Sequence, residues 1–361
     1  MKLGLGLGLY KHMLNEEHYA FARQCGATHV IIHLVDYFRQ ADSGGATNRN
    51  NQPVNQDGGC WGLAGDPDVL WSVEELSRIK AEIEAAGLTL YGIENFDPAH
   101  WYDILLDGPR RDEQMANIQE TIRRVGTVGI PVIGYNFSIA GVYGRVEGHY
   151  ARGAAKSVGM EGVVDNTPIP DGIVWNMRLP DDRSAETSKR ARCSTEELWQ
   201  RYAWFLEHAL PVAEEAGVRL ALHPDDPPVE RIRDTPRLVI TPDLYQRALD
   251  LHPSSSNNLE FCLGTLAEMP VGDVHEATAR YAGQNKIAYI HFRNITGKAP
   301  NYQEQFVDEG EIDMRRIVRS LREANFDGVL IPDHTPQMNC AAPWHAGMAH
   351  ALGYMKALLE T

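Results

Sequence analysis

Eight short β-rich runs alternate with amphipathic stretches along this chain, and that recurrence constrains the fold more than any single motif. The runs are 2–9, 28–35, 89–96, 131–138, 219–226, 259–265, 287–295 and 328–335. Most are nearly continuous apolar stretches with polar ends, as expected of parallel strands covered on both faces. The stretches between them read as helices, near 16–25 and over 72–87, 111–129, 195–217, 241–251, 273–283, 313–325 and 343–360. Ser72 precedes Val73-Glu74-Glu75 and Thr195 precedes Glu196-Glu197, both arrangements suited to capping a helix start, and Gly87 and Gly217 close the same two helices. Eight strand–helix units predict an α/β fold, a (β/α)8 TIM barrel occupying residues 1–361 as one domain. A doubly wound sheet would place a Gly-rich phosphate loop after an early strand. Gly4, Gly6 and Gly8 instead lie inside the first run, where they suit close packing at the barrel bottom.

Two long connections interrupt the pattern, 36–70 after strand two and 139–194 after strand four. Both leave the C-terminal ends of strands, the face where barrel active sites form, so they are read as lids or walls of that site.

What ends the last four strands carries the chemistry. Strand five closes on His223-Pro224-Asp225-Asp226-Pro227-Pro228, and strand six contains Glu260-Phe261-Cys262-Leu263-Gly264. Strand seven ends on His291-Phe292-Arg293-Asn294, and strand eight on Pro332-Asp333-His334. Consecutive strand ends of a barrel converge on one point. His223, Cys262, His291 and Asp333 therefore form a candidate divalent-metal site of two imidazoles, a thiolate and a carboxylate. Taken singly, each has a bland reading: a core histidine, a small apolar cysteine or a helix cap. Four at successive strand ends favour the metal. The thiolate suits Zn²⁺ or Fe²⁺, whereas oxygen-rich surroundings admit Mn²⁺. Asp225 and Asp226 are candidates to orient a ligand imidazole or to cap the next loop. Arg293, Asn294, Asn136 and Arg145 are candidate substrate-binding groups for a carboxylate and hydroxyls. His334 is a candidate general acid or base. Glu94 is expected to line the cavity. His345 is expected to face the mouth, and His350 the solvent.

The chain has 49 Asp plus Glu against 34 Lys plus Arg, a formal net charge of −15. Such a surface repels phosphate backbones, which argues against nucleic acid as a partner. An anionic substrate would need locally positive groups. No apolar run is long enough to span a bilayer. Five cysteines, irregularly spaced and without a CxxC, argue for a reducing, cytoplasmic setting rather than a disulfide framework. No GxSxG, P-loop or HExxH is present.

At these strand ends the sequence resembles the mannonate dehydratase family of the xylose-isomerase-like barrels. The likeness rests on HPDDPP from His223, FCLGT from Phe261, HFRN from His291, PDH at Pro332, Tyr135-Asn136-Phe137 and Glu309-Gly310-Glu311-Ile312-Asp313-Met314. The resemblance implies a divalent-metal lyase, usually with Mn²⁺, that dehydrates the sugar acid D-mannonate to 2-dehydro-3-deoxy-D-gluconate. It carries the family's ligands onto His223, Cys262, His291 and Asp333, and its acid/base histidine onto His334. It also implies a homo-oligomer. The chain departs from the family after PDH, where Gly-Arg is replaced by Thr335-Pro336 and His345 stands where the family has a catalytic tyrosine. Two other readings remain open on sequence: a metal-dependent sugar isomerase or epimerase on the same barrel, against which the cysteine ligand counts, and a non-catalytic sugar-acid binding protein.

Overall fold

The computed structural model describes residues 3–40, 60–180 and 186–360. Its centre is a closed barrel of eight strands: β1 Gly4–Leu9, β2 His29–Ile32, β3 Thr89–Glu94, β4 Val132–Tyr135, β5 Arg219–Leu222, β6 Asn257–Cys262, β7 Ile287–His291 and β8 Val329–Ile331. Each pairs in parallel with its neighbour in sequence, and β8 closes on β1 through Gly4–Val329 and Leu5–Leu330. The outer helices are α1 Glu16–Gln24, α2 Val73–Ala85, α3 Arg111–Val128, α4 Thr195–Ala216, α5 Pro242–Leu251, α6 Val274–Gly283, α7 Met314–Glu323 and α8 Pro343–Glu360. This is a TIM barrel.

Two apolar layers hold it. The larger lies between strands and helices and includes Leu5, Leu7 and Leu9 of β1; the smaller fills the barrel interior with Ile31, Val132, Ala221, Ala288, Tyr289, Val329 and Ile331. A Cβ on Gly6 would lie 2.6 Å from Val329 Cγ1 and 2.9 Å from Ile331 Cγ2, so the absence of a side chain makes room for those two. Close packing thus runs along the inward face of β1 rather than staying at the barrel bottom, and Gly8 reaches the cavity.

Ser72 caps α2, its Oγ accepting from Glu75 N at 3.0 Å. For α4 the cap is Ser194 rather than Thr195. A capping box needs an acid three residues on, and Ser194 with Glu197 meets that spacing. The run over 287–295 is split. β7 stops at His291, and Asn294–Lys298 turns away to form an antiparallel hairpin with Asn301–Gln305. That hairpin continues through Ala155–Glu161 and Val146–Ala151 into a four-stranded sheet, so the insertion after β4 is anchored on the loop after β7. In the other insertion Gly62–Leu63 pairs with Met177–Arg178, joining the two long connections. Residues 41–59 and 181–185 of these connections lie outside the described residues. No helix among the described residues is long and apolar enough to cross a membrane.

Candidate metal centre and its cavity

At the C-terminal mouth of the barrel, one ligand atom from each of His223, Cys262 and His291 falls within 4.8 Å of the others, and the same holds for Glu94, Glu260 and His291. The local bonding leaves free lone pairs where an ion needs them. His223 Nδ1–H donates to Pro224 O at 2.6 Å, which leaves Nε2 as the free nitrogen. His291 Nε2 faces Glu94 Oε2 at 3.3 Å and Glu260 Oε1 at 3.2 Å, while its buried Nδ1 has no hydrogen-bond partner and lies 3.6 Å from Asp333 Oδ2. A carboxylate on one imidazole nitrogen with the other left bare is how metal-binding histidines are oriented.

Cys262 ends β6 and starts the short helix Leu263–Glu268. Its Sγ accepts from Thr265 N at 3.4 Å, Thr265 Oγ1 at 3.2 Å and Arg293 Nη2 at 3.4 Å. Burial alone would raise this thiol, but the Arg293 charge and then the two neighbouring imidazoles, His223 and His291, hold it well below its ordinary value, which favours the thiolate. Burial would lower His223. The bond to Cys262 and the charge of Glu260 overturn that and push it up to about 9. His291 is likewise raised against burial, by Asp333 and Glu94. Asp333 stays ionised because His334 and His291 outweigh its burial. The cluster thus holds a thiolate and a carboxylate, with protons on imidazoles that a cation would displace. This donor set fits a divalent metal ion.

The cavity in front of it is lined by Asn136, Arg145, Asp226, Glu260, Tyr10 and His33, among others. Asn136 Oδ1 is buried without a hydrogen-bond partner, as is Arg145 Nη2, whose Nη1 bonds Glu304 Oε1 at 3.0 Å. Glu94 lines the cavity as expected and is held down to about 2. Burial opposes this, but His291, with Nε2 3.3 Å from Glu94 Oε2, and the His33 imidazole beside it outweigh burial. Glu260 is pushed up to about 8 by burial and by Glu94. Trp61 and Trp175 bring both long connections onto the cavity wall.

Four expectations change. Arg293 does not face the cavity. It lies behind the thiolate, bonded to Asp226 Oδ2 at 2.9 Å, 3.1 Å from Glu268 Oε1, and also paired with Glu304. Gly264 permits this, since a Cβ there would collide with Arg293 Nε. Asn294 is spent on backbone: its Nδ2 donates to Val307 O and Ile312 O, and its Oδ1 accepts from Ile295 N and Ile312 N, because the chain has left the barrel there. His345 packs on Phe21 with ring centroids 4.8 Å apart and on His18 at 5.6 Å. Trp344 and Met348, four apart on α8, take the cavity face, and one residue's turn of the helix carries His345 away from it. His334 stands one layer behind the lining, with Nε2 3.1 Å from Asp333 Oδ2 and 3.3 Å from Arg145 Nη1.

Asp225 caps the following loop, with Oδ2 accepting from Leu238 N and Val239 N, and pairs with Arg237 at 3.1 Å. His350 bonds Asp308 at 3.1 Å on the outside. Tyr10 and His33 were missed in the sequence, although each directly follows an apolar run at a strand end, as His223 and Asp333 do. The five cysteines are unpaired.

Residues 46–358 match the D-mannonate dehydratase (UxuA) family. A mannonate dehydratase of Streptococcus pneumoniae is 34% identical over 277 residues, covering 73% of this chain and 74% of that one. The crystal structure of mannonate dehydratase from Streptococcus suis superposes with a TM-score of 0.76 at 25% identity, covering 99% of this chain and 93% of that chain. A D-psicose 3-epimerase from Clostridium cellulolyticum, at 13% identity with a TM-score of 0.56 over the whole of both chains, shares the fold alone. With most of its length matched by one family and by relatives above 30% identity, the chain belongs to the D-mannonate dehydratase family.

Proposed function

We propose that this chain removes water from D-mannonate, giving 2-dehydro-3-deoxy-D-gluconate, with a divalent ion held by His223, Cys262, His291 and Asp333. The observation that carries the reading is the bare, buried His291 Nδ1 facing Asp333 beside a thiolate. Mn²⁺ is the ion the family resemblance favours; the thiolate leaves Fe²⁺ and Zn²⁺ as the alternatives to compare. When bound, such an ion supplies Lewis acidity to substrate oxygens next to the carbon that loses its proton.

The chain's own groups do the rest. Arg145, whose Nη2 is unbonded, takes the substrate carboxylate, and Asn136 Oδ1 accepts from a hydroxyl. Trp61, Val142 and Trp175 from the long connections exclude water. The C2 proton goes to His33. Burial lowers this imidazole and keeps it neutral, and its Nδ1 is tied to Tyr37 Oη at 3.0 Å, leaving Nε2 to receive the proton. The C2–H electron pair then forms the C2–C3 double bond as the C3 hydroxyl departs, and the enol tautomerises to the 2-keto acid. His334 acts through Asp333 rather than on the substrate. A homo-oligomer in a reducing cytoplasm fits the family resemblance and the unpaired cysteines.

The test is metal analysis of the purified protein coupled to a screen of aldonates for 2-keto-acid formation. Keto acid from D-mannonate that requires Mn²⁺, Fe²⁺ or Zn²⁺ supports the reading. Interconversion of free sugars with no keto acid from any aldonate would overturn it.

A further inference from the structure

Loss of hydroxide from C3 is slow unless the leaving oxygen receives a proton, so an acid must stand at the cavity beside the base. Of the other proton-bearing groups there, Glu260 belongs to the candidate metal cluster, with Oε1 3.2 Å from His291 Nε2. Tyr37 Oη is engaged by His33 Nδ1 and by Asn95 Nδ2, both at 3.0 Å, and His334 lies behind the lining. Tyr10 is different. It directly follows β1 at the C-terminal rim, between β8, which leads to Asp333, and β2, which leads to His33. It lines the cavity, and no hydrogen bond among the described residues engages its hydroxyl. Its ring is fixed on several sides: 4.9 Å from His33, and edge-on to Tyr37 at 5.9 Å and Phe38 at 6.0 Å.

We propose that Tyr10 is the catalytic acid that gives its phenolic proton to the departing C3 hydroxyl, an inference that rests on the dehydratase reading above. In the step, the C3–O bond breaks with its electron pair going to oxygen, the Tyr10 proton joins that oxygen, and water leaves. The C2–H pair closes the C2–C3 double bond, and the proton taken from C2 returns through solvent to the phenolate. Burial, then the charges of Asp333 and Glu94, keep the phenol protonated until that moment. The adjacent strand ends place Tyr10 and His33 on one wall, so acid and base reach neighbouring carbons from the same side.

The test compares wild type with Tyr10→Phe, both metal-loaded, on D-mannonate and on 3-deoxy-3-fluoro-D-mannonate, reading keto acid and released fluoride. Fluoride needs little proton assistance to leave. The expected result is that Tyr10→Phe loses roughly 100-fold or more in kcat on mannonate, the scale of a general acid, with KM little changed, and keeps near wild-type fluoride release. Metal content and melting temperature, read alongside, should be unchanged, because the hydroxyl holds nothing in the protein. Equal losses on both substrates, or full activity on mannonate, would overturn the role of Tyr10 while leaving the dehydratase reading intact. A wild type that dehydrates no aldonate would overturn that reading, and this inference with it.

Discussion

Glu304 Oε2 lies 2.6 Å from His334 Nδ1, and this contact fixes which way the imidazole faces. Its other nitrogen then meets Asp333 Oδ2 at 3.1 Å. Burial alone would favour a neutral ring, but Asp333 and Glu304 raise His334 above its ordinary value. The chain Glu304–His334–Asp333 orients the carboxylate that faces His291 Nδ1.

His334→Ala removes the donor that holds Asp333. Outer partners of ligands typically contribute about 10–100-fold in metal affinity, and a loss on that scale is expected in a chelator-competition titration. An unchanged dissociation constant would show that Asp333 is held by other means.

The pH dependence of metal uptake follows from the same cluster. His223 titrates near 9 in the metal-free protein, so at neutral pH a proton occupies the site and an ion must displace it. The sign is therefore a metal affinity that rises with pH across this range, with the raised His291 acting in the same direction. Cys262, already a thiolate, adds no slope in this range. Dissociation constants measured from pH 6.5 to 9.5 check this. Affinity that is flat or falls with rising pH contradicts it.

The barrel and the cluster that could hold a metal were legible because both depend on local chain properties. Apolar runs of strand length and polar residues at their ends bring His223, Cys262 and His291 together wherever eight units close. Asn294 and Arg293 misled because sequence does not mark where β7 stops. Asn294 falls in the same strand-like stretch as His291, only three residues on, yet it pairs with Gln305 in a hairpin sheet whose partner strand is more than a hundred residues away. His345 misled for a different reason: the rotation of α8 was not readable without its packing on Phe21. The burial of Glu304 and its grip on His334 come from that hairpin sheet, a long-range pairing that no period in the sequence announces.

Gly6 makes room for Val329 and Ile331 inside the barrel. In Gly6→Ala the new Cβ would meet Val329 Cγ1 at 2.6 Å in a layer without spare room. Overpacking a core of this kind costs about 1–3 kcal/mol, read as a drop in denaturation midpoint. Pairing the change with Val329→Ala should recover part of the loss, and strict additivity of the two would show that the residues do not share that space.

Arg145 separates substrate binding from metal binding. Its Nη2 is buried with no hydrogen-bond partner, 3.6 Å from Asp226, while Nη1 bonds Glu304. Arg145→Lys keeps a charge but loses the fork that grips a carboxylate in two places. Hydrogen bonds to charged groups contribute about 1.5–3 kcal/mol, so KM for an aldonate should rise roughly 10–100-fold by the same measure. Metal affinity should change much less, because the partners of Arg145 are Glu304 and Asp226 rather than the proposed ligands. A neutral amide of the same sugar acid, used as a competitive inhibitor, should bind wild type and variant alike. If the amide weakens as much as the acid, Arg145 shapes the cavity rather than binding the carboxylate.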